Sequence, residues 1–273
     1  MKRTAFLFVS LAMALTLGVS GVAAQRIQPS GKKIGRDEHG HAIFQVQANG
    51  IEIGCKLIGS GEPLVMIIGL GQTMEQWPQE IVETLADQYQ LILLDNRGMG
   101  HTTANDATFS VKLFAEDVMA LLDALQVKKA HVLGYSMGST TVQRLLLEYP
   151  QRFNKAIIHA TSTDGSQVAR NVAKAMKGKV PDNSTVQRQI EATTHWRTPL
   201  DKLPSIPNPV MLVVGTADAV VGVKSSKTLA SAIPGAWLVQ FKNATHFLMY
   251  EAPSEFARIV LTFLETDATV RPK

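Results

Sequence analysis

The chain has 273 residues, 45% of them hydrophobic and 18% charged, and a formal charge of +4 at pH 7. That is the balance of a globular protein with one substantial core, and it excludes an intrinsically disordered chain. No dense basic run accompanies the charge, so nucleic acid is not expected as a partner, and a single cysteine, Cys55, excludes an intrachain disulfide.

At the N-terminus Lys2 and Arg3 precede an apolar run over 5–22 that closes on the small residues Val22, Ala23 and Ala24. Residues 1–24 therefore read as a secretory signal peptide, which sends the mature protein to the periplasm or the medium with no stable membrane insertion after cleavage. Two of the 27 lysines and arginines lie in that segment, leaving 25 against 23 acidic residues. Residues 25–41 are polar and read as a solvated leader. His39 and His41 form a His-x-His pair there, but no thiolate or further histidine stands nearby in the sequence, and no metal is expected.

The folded domain is expected over 42–273. Segments 42–48 and 51–58 alternate in polarity and meet at Asn49-Gly50, a two-residue hairpin signal, and Cys55 within the second reads as a buried apolar side chain. Apolar runs at 64–68, 91–94, 130–133, 156–159, 210–214 and 237–241 then alternate with helical patterns at 79–88, 111–125, 139–148, 225–232 and 253–265. Uniformly apolar runs belong to central strands covered on both faces. The order predicts an α/β fold: a mostly parallel, doubly wound sheet that begins as an antiparallel hairpin. Residues 165–205, rich in Lys, Arg, Gln and Thr, break the rhythm. They are too long for an ordinary connection and read as a short inserted cap with helical pieces at 168–176 and 185–191.

Gly134-Tyr135-Ser136-Met137-Gly138 follows the strand at 130–133 and opens the next helix. A bare G-x-S-x-G says little; its placement on a strand-to-helix turn marks a nucleophile elbow. Both glycines have a steric task there, because the sharp turn brings backbone segments close. A serine hydroxyl attacks a carbonyl only when a base takes its proton. Of seven histidines, His131 and His159 fall within apolar strand runs and read as structural, while His39 and His41 lie in the leader. Among His101, His195 and His246, the last follows the strand at 237–241 through a short loop and so reaches the same sheet edge as Ser136. Asp218, just past the strand at 210–214, reaches that edge too and is the expected acid that orients the imidazole. Asp164, after 156–159, is the alternative acid. Ser136, Asp218 and His246 stand in the chain order such a sheet requires. The oxyanion needs two aimed N–H donors: Met137 supplies one by position, and Leu70, in Gly69-Leu70-Gly71-Gln72, the other, with Gln72 or Thr73 able to add a side-chain donor.

The elbow, together with Gly61-Glu62-Pro63, Asp95-Asn96-Arg97-Gly98-Met99-Gly100, Gly215-Thr216-Ala217-Asp218 and His246 with Glu251-Ala252-Pro253, resembles the α/β-hydrolase superfamily over about 51–264. The likeness is strongest to its esterase, enol-lactonase and cofactor-free haloperoxidase-like members. It implies the α/β-hydrolase fold, a serine hydrolase and no cofactor. Asp95 and Arg97 resemble a structural loop of the family, which implies an ion pair or turn brace. One departure touches the bracing of the oxyanion loop: the family usually has His-Gly where this chain has Ile68-Gly69. Relatives that open epoxides or cleave carbon–halogen bonds carry aspartate at the elbow, so Ser136 points to acyl chemistry.

Candidate pocket walls are Met74, Trp77, Tyr135, Met137, Met176, His195, Trp196, Phe247 and Leu248, with Trp77 and Met137 singled out. The expected activity is hydrolysis of a small or medium carboxylic ester or lactone through an acyl-enzyme, with water as second nucleophile. Amide or peptide hydrolysis and a slowly turning ligand sensor on the same fold are the competing readings.

Overall fold

The computed structural model describes residues 27–175 and 182–267; the expected signal peptide lies outside them. The strands are β1 (Lys32–Arg36), β2 (Ala42–Ala48), β3 (Ile51–Ile58), β4 (Glu62–Ile67), β5 (Tyr89–Leu94), β6 (Ala130–Tyr135), β7 (Phe153–His159), β8 (Val210–Gly215) and β9 (Trp237–Phe241). The helices are α1 (Gln79–Ala86), α2 (Val111–Ala124), α3 (Met137–Glu148), α4 (Gly165–Ala175), α5 (Ser184–Thr194), α6 (Gly222–Ala232), α7 (Leu248–Glu251) and α8 (Pro253–Glu265).

The strands form one sheet in the order β1-β2-β3-β5-β4-β6-β7-β8-β9. β1, β2, β3 and β5 pair antiparallel in succession, and every pairing from β5 through β9 is parallel. Asn49 and Gly50 both take positive φ, 47° and 71°, as the tight turn between β2 and β3 demands. In β4 every residue from Leu64 to Ile67 is fully buried. Leu64 and Met66 enter the core beneath α1 and α8, while Val65 and Ile67 enter the opposite core beneath α2, α3 and α6. A strand covered on both faces has no polar side to show, which is why its sequence reads as a continuous apolar run.

Residues 25–41, expected to be a solvated leader, need correction in part. Residues 32–36 form the edge strand β1, pairing Lys32 with Gln45 and Arg36 with Ala42, and Ile27 is buried with its N–H and carbonyl bonded to the side chain of Gln90. A polar, lysine-bearing strand is what an exposed sheet edge favours, so composition alone read it as loop. The turn after it is held by a tertiary ion pair. Lys56 Nζ, buried on β3, lies 2.5 Å from Asp37 Oδ2 and 2.6 Å from Glu75 Oε2. Burial would raise the Asp37 pKa, but the hydrogen bonds from Lys56 and His41 prevail and pull it down to about 2. His41 Nδ1 sits 3.1 Å from Asp37 Oδ2 and His39 Nε2 3.5 Å from Glu38 Oε1, so each histidine of the His-x-His pair faces a carboxylate.

Between β7 and β8, α4 and α5 pack on one another as a small helical cap. The two ends of the cap are joined by an isolated bridge between Asp164 and Arg197. Among the described residues no helix is long and apolar enough to cross a membrane.

Candidate active site

The connections after β4, β6, β8 and β9 all leave the sheet at one edge, the C-terminal edge of the parallel strands. Open α/β sheets gather their chemistry at this edge. A single residue, Ser136, separates β6 from α3. Its φ of 52° and ψ of −113° are a conformation that costs a non-glycine residue about 1–3 kcal/mol. The surroundings hold it there: Ser136 donates its N–H to the His159 carbonyl of β7 at 3.0 Å. A Cβ on Gly134 would lie 2.4 Å from the Gly138 carbonyl oxygen, and one on Gly138 would lie 2.1 Å from that of Ile67. Both glycines of the motif are thus fixed by backbone contact.

His246 lies in the loop between β9 and α7. Its Nε2 is 3.0 Å from Ser136 Oγ and its Nδ1 is 2.9 Å from Asp218 Oδ2. The other oxygen of Asp218 accepts the N–H groups of Val220 and Val221 at 2.8 and 2.9 Å. Burial raises the Asp218 pKa, but the hydrogen bond and charge of His246 and the two backbone donors outweigh it. The carboxylate is held below its ordinary range and stays ionised at neutral pH. The loops carrying the pair are joined by Ala217 N–H donating to Ala244 O at 2.9 Å and Asn243 N–H to Thr216 Oγ1 at 2.7 Å. Asp164 does not approach His246; it caps the start of α4 through Ser166 and faces Arg197 at 3.3 Å.

Beneath this chain of groups, His159 is fully buried and stacks on Tyr135 at 5.1 Å, and Tyr135 in turn tilts against the ring of His246 at 5.4 Å. Burial pushes the His159 pKa down to about 4, so a neutral imidazole supports the site.

Leu70 and Met137, the expected oxyanion donors, both line the pocket that opens at Ser136. Among the described residues neither N–H is taken by a protein acceptor. The loop bearing Leu70 is held from four directions. Asn96 Nδ2 donates to Ile68 O at 3.0 Å, and Met74 N–H donates to Asp95 Oδ1 at 2.7 Å. Gly71 N–H donates to Gln189 Oε1 of the cap at 2.8 Å, and Gln72 Nε2 to the hydroxyl of Tyr250 at 2.9 Å. These contacts stand where the sequence raised the question of bracing at Ile68-Gly69. Gln72 spends its amide on Tyr250 rather than on the oxyanion position. Asp95 and Arg97 do not pair with each other: Asp95 receives the N–H groups of Met74 and His101, and Arg97 is paired with Asp117 on α2.

The pocket has a volume of about 380 Å³ and an apolar wall formed chiefly by Leu70, Met137, Val168, Val172, Val220 and Val221. Trp77 does not line this pocket but the neighbouring cleft. It is only 4% exposed and packs in the core with Met74, Ile81 and Val82. The 3₁₀ turn Met74–Gln76 carries the chain away from the loop bearing Leu70 before Trp77. Tyr135, Met137 and Phe247 do line the pocket. Met74, Trp196 and Leu248 are buried elsewhere and His195 is exposed, while Met176 lies outside the described residues. Val168 and Val172 were passed over although their i, i+4 spacing on α4 is a legible apolar stripe. Gln189 carried no signal at all, being one more polar residue in a polar cap.

A mostly parallel sheet with serine, aspartate and histidine past the ends of β6, β8 and β9, in that order, is the arrangement of the α/β hydrolases, and the profile of the family described as alpha/beta hydrolase fold matches residues 62–184. The chain has the α/β-hydrolase fold, and its likeness to this superfamily supports a hydrolase. A Mycobacterium tuberculosis H37Rv protein named as a non-heme bromoperoxidase is 28% identical over 249 residues, covering 75% of this chain and 94% of that one. The 3-oxoadipate enol-lactonase 2 of Acinetobacter baylyi is 32% identical over 140 residues, half of each chain. The crystal structure of the enol-lactonase from Burkholderia xenovorans superposes with a TM-score of 0.70 at 22% identity, over 80% of this chain and 98% of that one.

Proposed function

We propose that the chain is a serine hydrolase that cleaves a small or medium carboxylic ester or lactone through an acyl-enzyme. The observation that carries this is the unbroken path from Asp218 through His246 to Ser136, with steps of 2.9 and 3.0 Å, ending at the mouth of an apolar pocket. His246 Nε2 takes the Ser136 proton as Oγ bonds to the substrate carbonyl carbon, while Asp218 holds the imidazole in its tautomer and offsets the charge it gains. The negative charge that develops on the carbonyl oxygen is met by the N–H groups of Leu70, in the braced loop, and Met137, at the start of α3. The carbon–oxygen bond to the alcohol then breaks, and His246 hands its proton to the departing oxygen. Water repeats the sequence on the acyl-serine and releases the carboxylic acid.

The enol-lactonase names of the Acinetobacter and Burkholderia proteins support an ester or lactone over an amide. A panel of p-nitrophenyl esters, lactones and aryl amides tests this. Esters or lactones should turn over fastest, with Ser136→Ala losing at least about 1,000-fold in kcat; a preference for amides, or activity that survives Ser136→Ala, would contradict it. Residues 1–24 are proposed as a cleaved export signal, which an N-terminus at Gln25 on the secreted protein would support and an intact Met1 would refute.

A further inference from the structure

A second cleft, about 570 Å³ and open to solvent, adjoins the Ser136 pocket; Gln72, Trp77, Pro78, Phe247 and Tyr250 line it. Gln72 and Phe247 border both spaces, so the cleft begins where the pocket ends. Phe247 and Tyr250 are 52% and 40% exposed, two of the three exposed large hydrophobic side chains among the described residues. Their rings lie 6.3 Å apart at 56°. Neither is loose. The Phe247 ring meets His246 edge-on at 5.7 Å, and the Tyr250 hydroxyl accepts from Gln72 and donates to Gln76 O at 2.9 Å each.

Two exposed rings fixed beside a nucleophile call for an occupant, and the chemistry of the site says which part of the substrate it is. When the tetrahedral intermediate collapses, the carbon–oxygen bond to the alcohol breaks and the proton on His246 Nε2 goes to that oxygen. The alcohol therefore departs on the histidine side, where Phe247 leads into the cleft. The acyl group remains on Ser136 in the enclosed pocket, whose 380 Å³ hold roughly a dozen heavy atoms at about 30 Å³ each. His246 apart, no cationic side chain lines either space among the described residues, and Glu75, which lines the cleft, has its carboxylate paired with Lys56. An anionic leaving group finds no partner there.

We infer that the cleft is a leaving-group subsite for a neutral aromatic alcohol, so that the substrate is an uncharged ester of an arylmethanol-like alcohol with a compact apolar acid. This rests on the serine-hydrolase reading. Butanoate esters of ethanol, cyclohexylmethanol, benzyl alcohol, 2-naphthylmethanol and 4-carboxybenzyl alcohol hold the acyl group constant and keep leaving-group basicity similar. The naphthylmethyl ester should exceed the cyclohexylmethyl ester by about 10-fold in kcat/KM, and the carboxybenzyl ester should fall about 10-fold below the benzyl ester. In Tyr250→Ala and Phe247→Ala the naphthylmethyl-to-ethyl ratio should drop about 10-fold, whatever happens to the ethyl ester itself, and Tyr250→Phe should restore it. Equal kcat/KM for naphthylmethyl and cyclohexylmethyl esters in the unmodified protein, or a ratio unmoved in both alanine variants, overturns the subsite while turnover of the ethyl ester leaves the hydrolase reading standing. Turnover of none of these esters by protein that also fails to react with a fluorophosphonate overturns both.

Discussion

Asp218 and Asp164 are the two carboxylates the chain offers to His246, and their surroundings separate them. Asp218 is buried, receives two backbone N–H groups and meets His246 Nδ1, whereas Asp164 is bound into the neck of the cap. Asp218→Asn should lower kcat by about 10,000-fold, through loss of the correct imidazole tautomer, with little change in fold. Asp164→Asn should stay within about threefold, and a reversed order in esterase assays would reassign the acid. His159 makes a different prediction. Its folded pKa of about 4 lies below the ordinary 6.5, so between those values the unfolded chain binds the extra proton. The stability this gives is fully present above pH 6.5 and is lost as pH falls toward 4, to an extent of about 3 kcal/mol. Asp218, with its lowered pKa, adds acid sensitivity only at pH values below its ordinary 3.8. Urea unfolding at pH 7 and pH 4.5 should therefore show a large drop for the unmodified protein and a much smaller one for His159→Leu; equal drops would remove His159 from the account.

At the scale of elements, the cap does more than cover the pocket. Gln189 on α5 is fully buried and supplies the acceptor for Gly71 N–H, one residue beyond Leu70. A strut from the cap thus fixes the loop that carries Leu70, a proposed oxyanion donor. Removing such a donor outright costs about 100- to 1,000-fold; loosening its loop should cost less. Gln189→Leu is expected to lower kcat about 10-fold with KM changed less than threefold, and Gln189→Glu, which keeps an acceptor oxygen, to recover most of it. A change confined to KM would make the cap a wall of the pocket only. The elements themselves were legible to different depths. The central strands announced themselves because both faces are buried, and the β2–β3 turn because Asn49 and Gly50 suit positive φ. β1 was hidden because an edge strand is allowed to be polar and because the Lys56–Asp37 pair that anchors it joins residues 19 apart in sequence.

For the whole molecule, the topology explains why so much of the candidate site could be found in one dimension. In a parallel sheet every strand ends at the same edge, so residues just past strand ends are neighbours in space however far apart they lie in the chain. Ser136, Asp218 and His246 are separated by up to 110 residues and still meet. Side-chain direction obeys no such rule, and that is where the sequence is least legible: Trp77 packs largely in the core and meets the neighbouring cleft rather than the Ser136 pocket, Val220 and Val221 line that pocket, and Gln189 braces the loop beside it. The central claim, that Ser136 is a nucleophile activated through His246, is tested most directly by intact-mass analysis of folded protein treated with a fluorophosphonate, followed by peptide mapping. One adduct per chain, on Ser136, absent in Ser136→Ala and strongly slowed in His246→Ala, is the predicted result. Folded protein that stays unmodified, or an adduct that persists in Ser136→Ala, would contradict it.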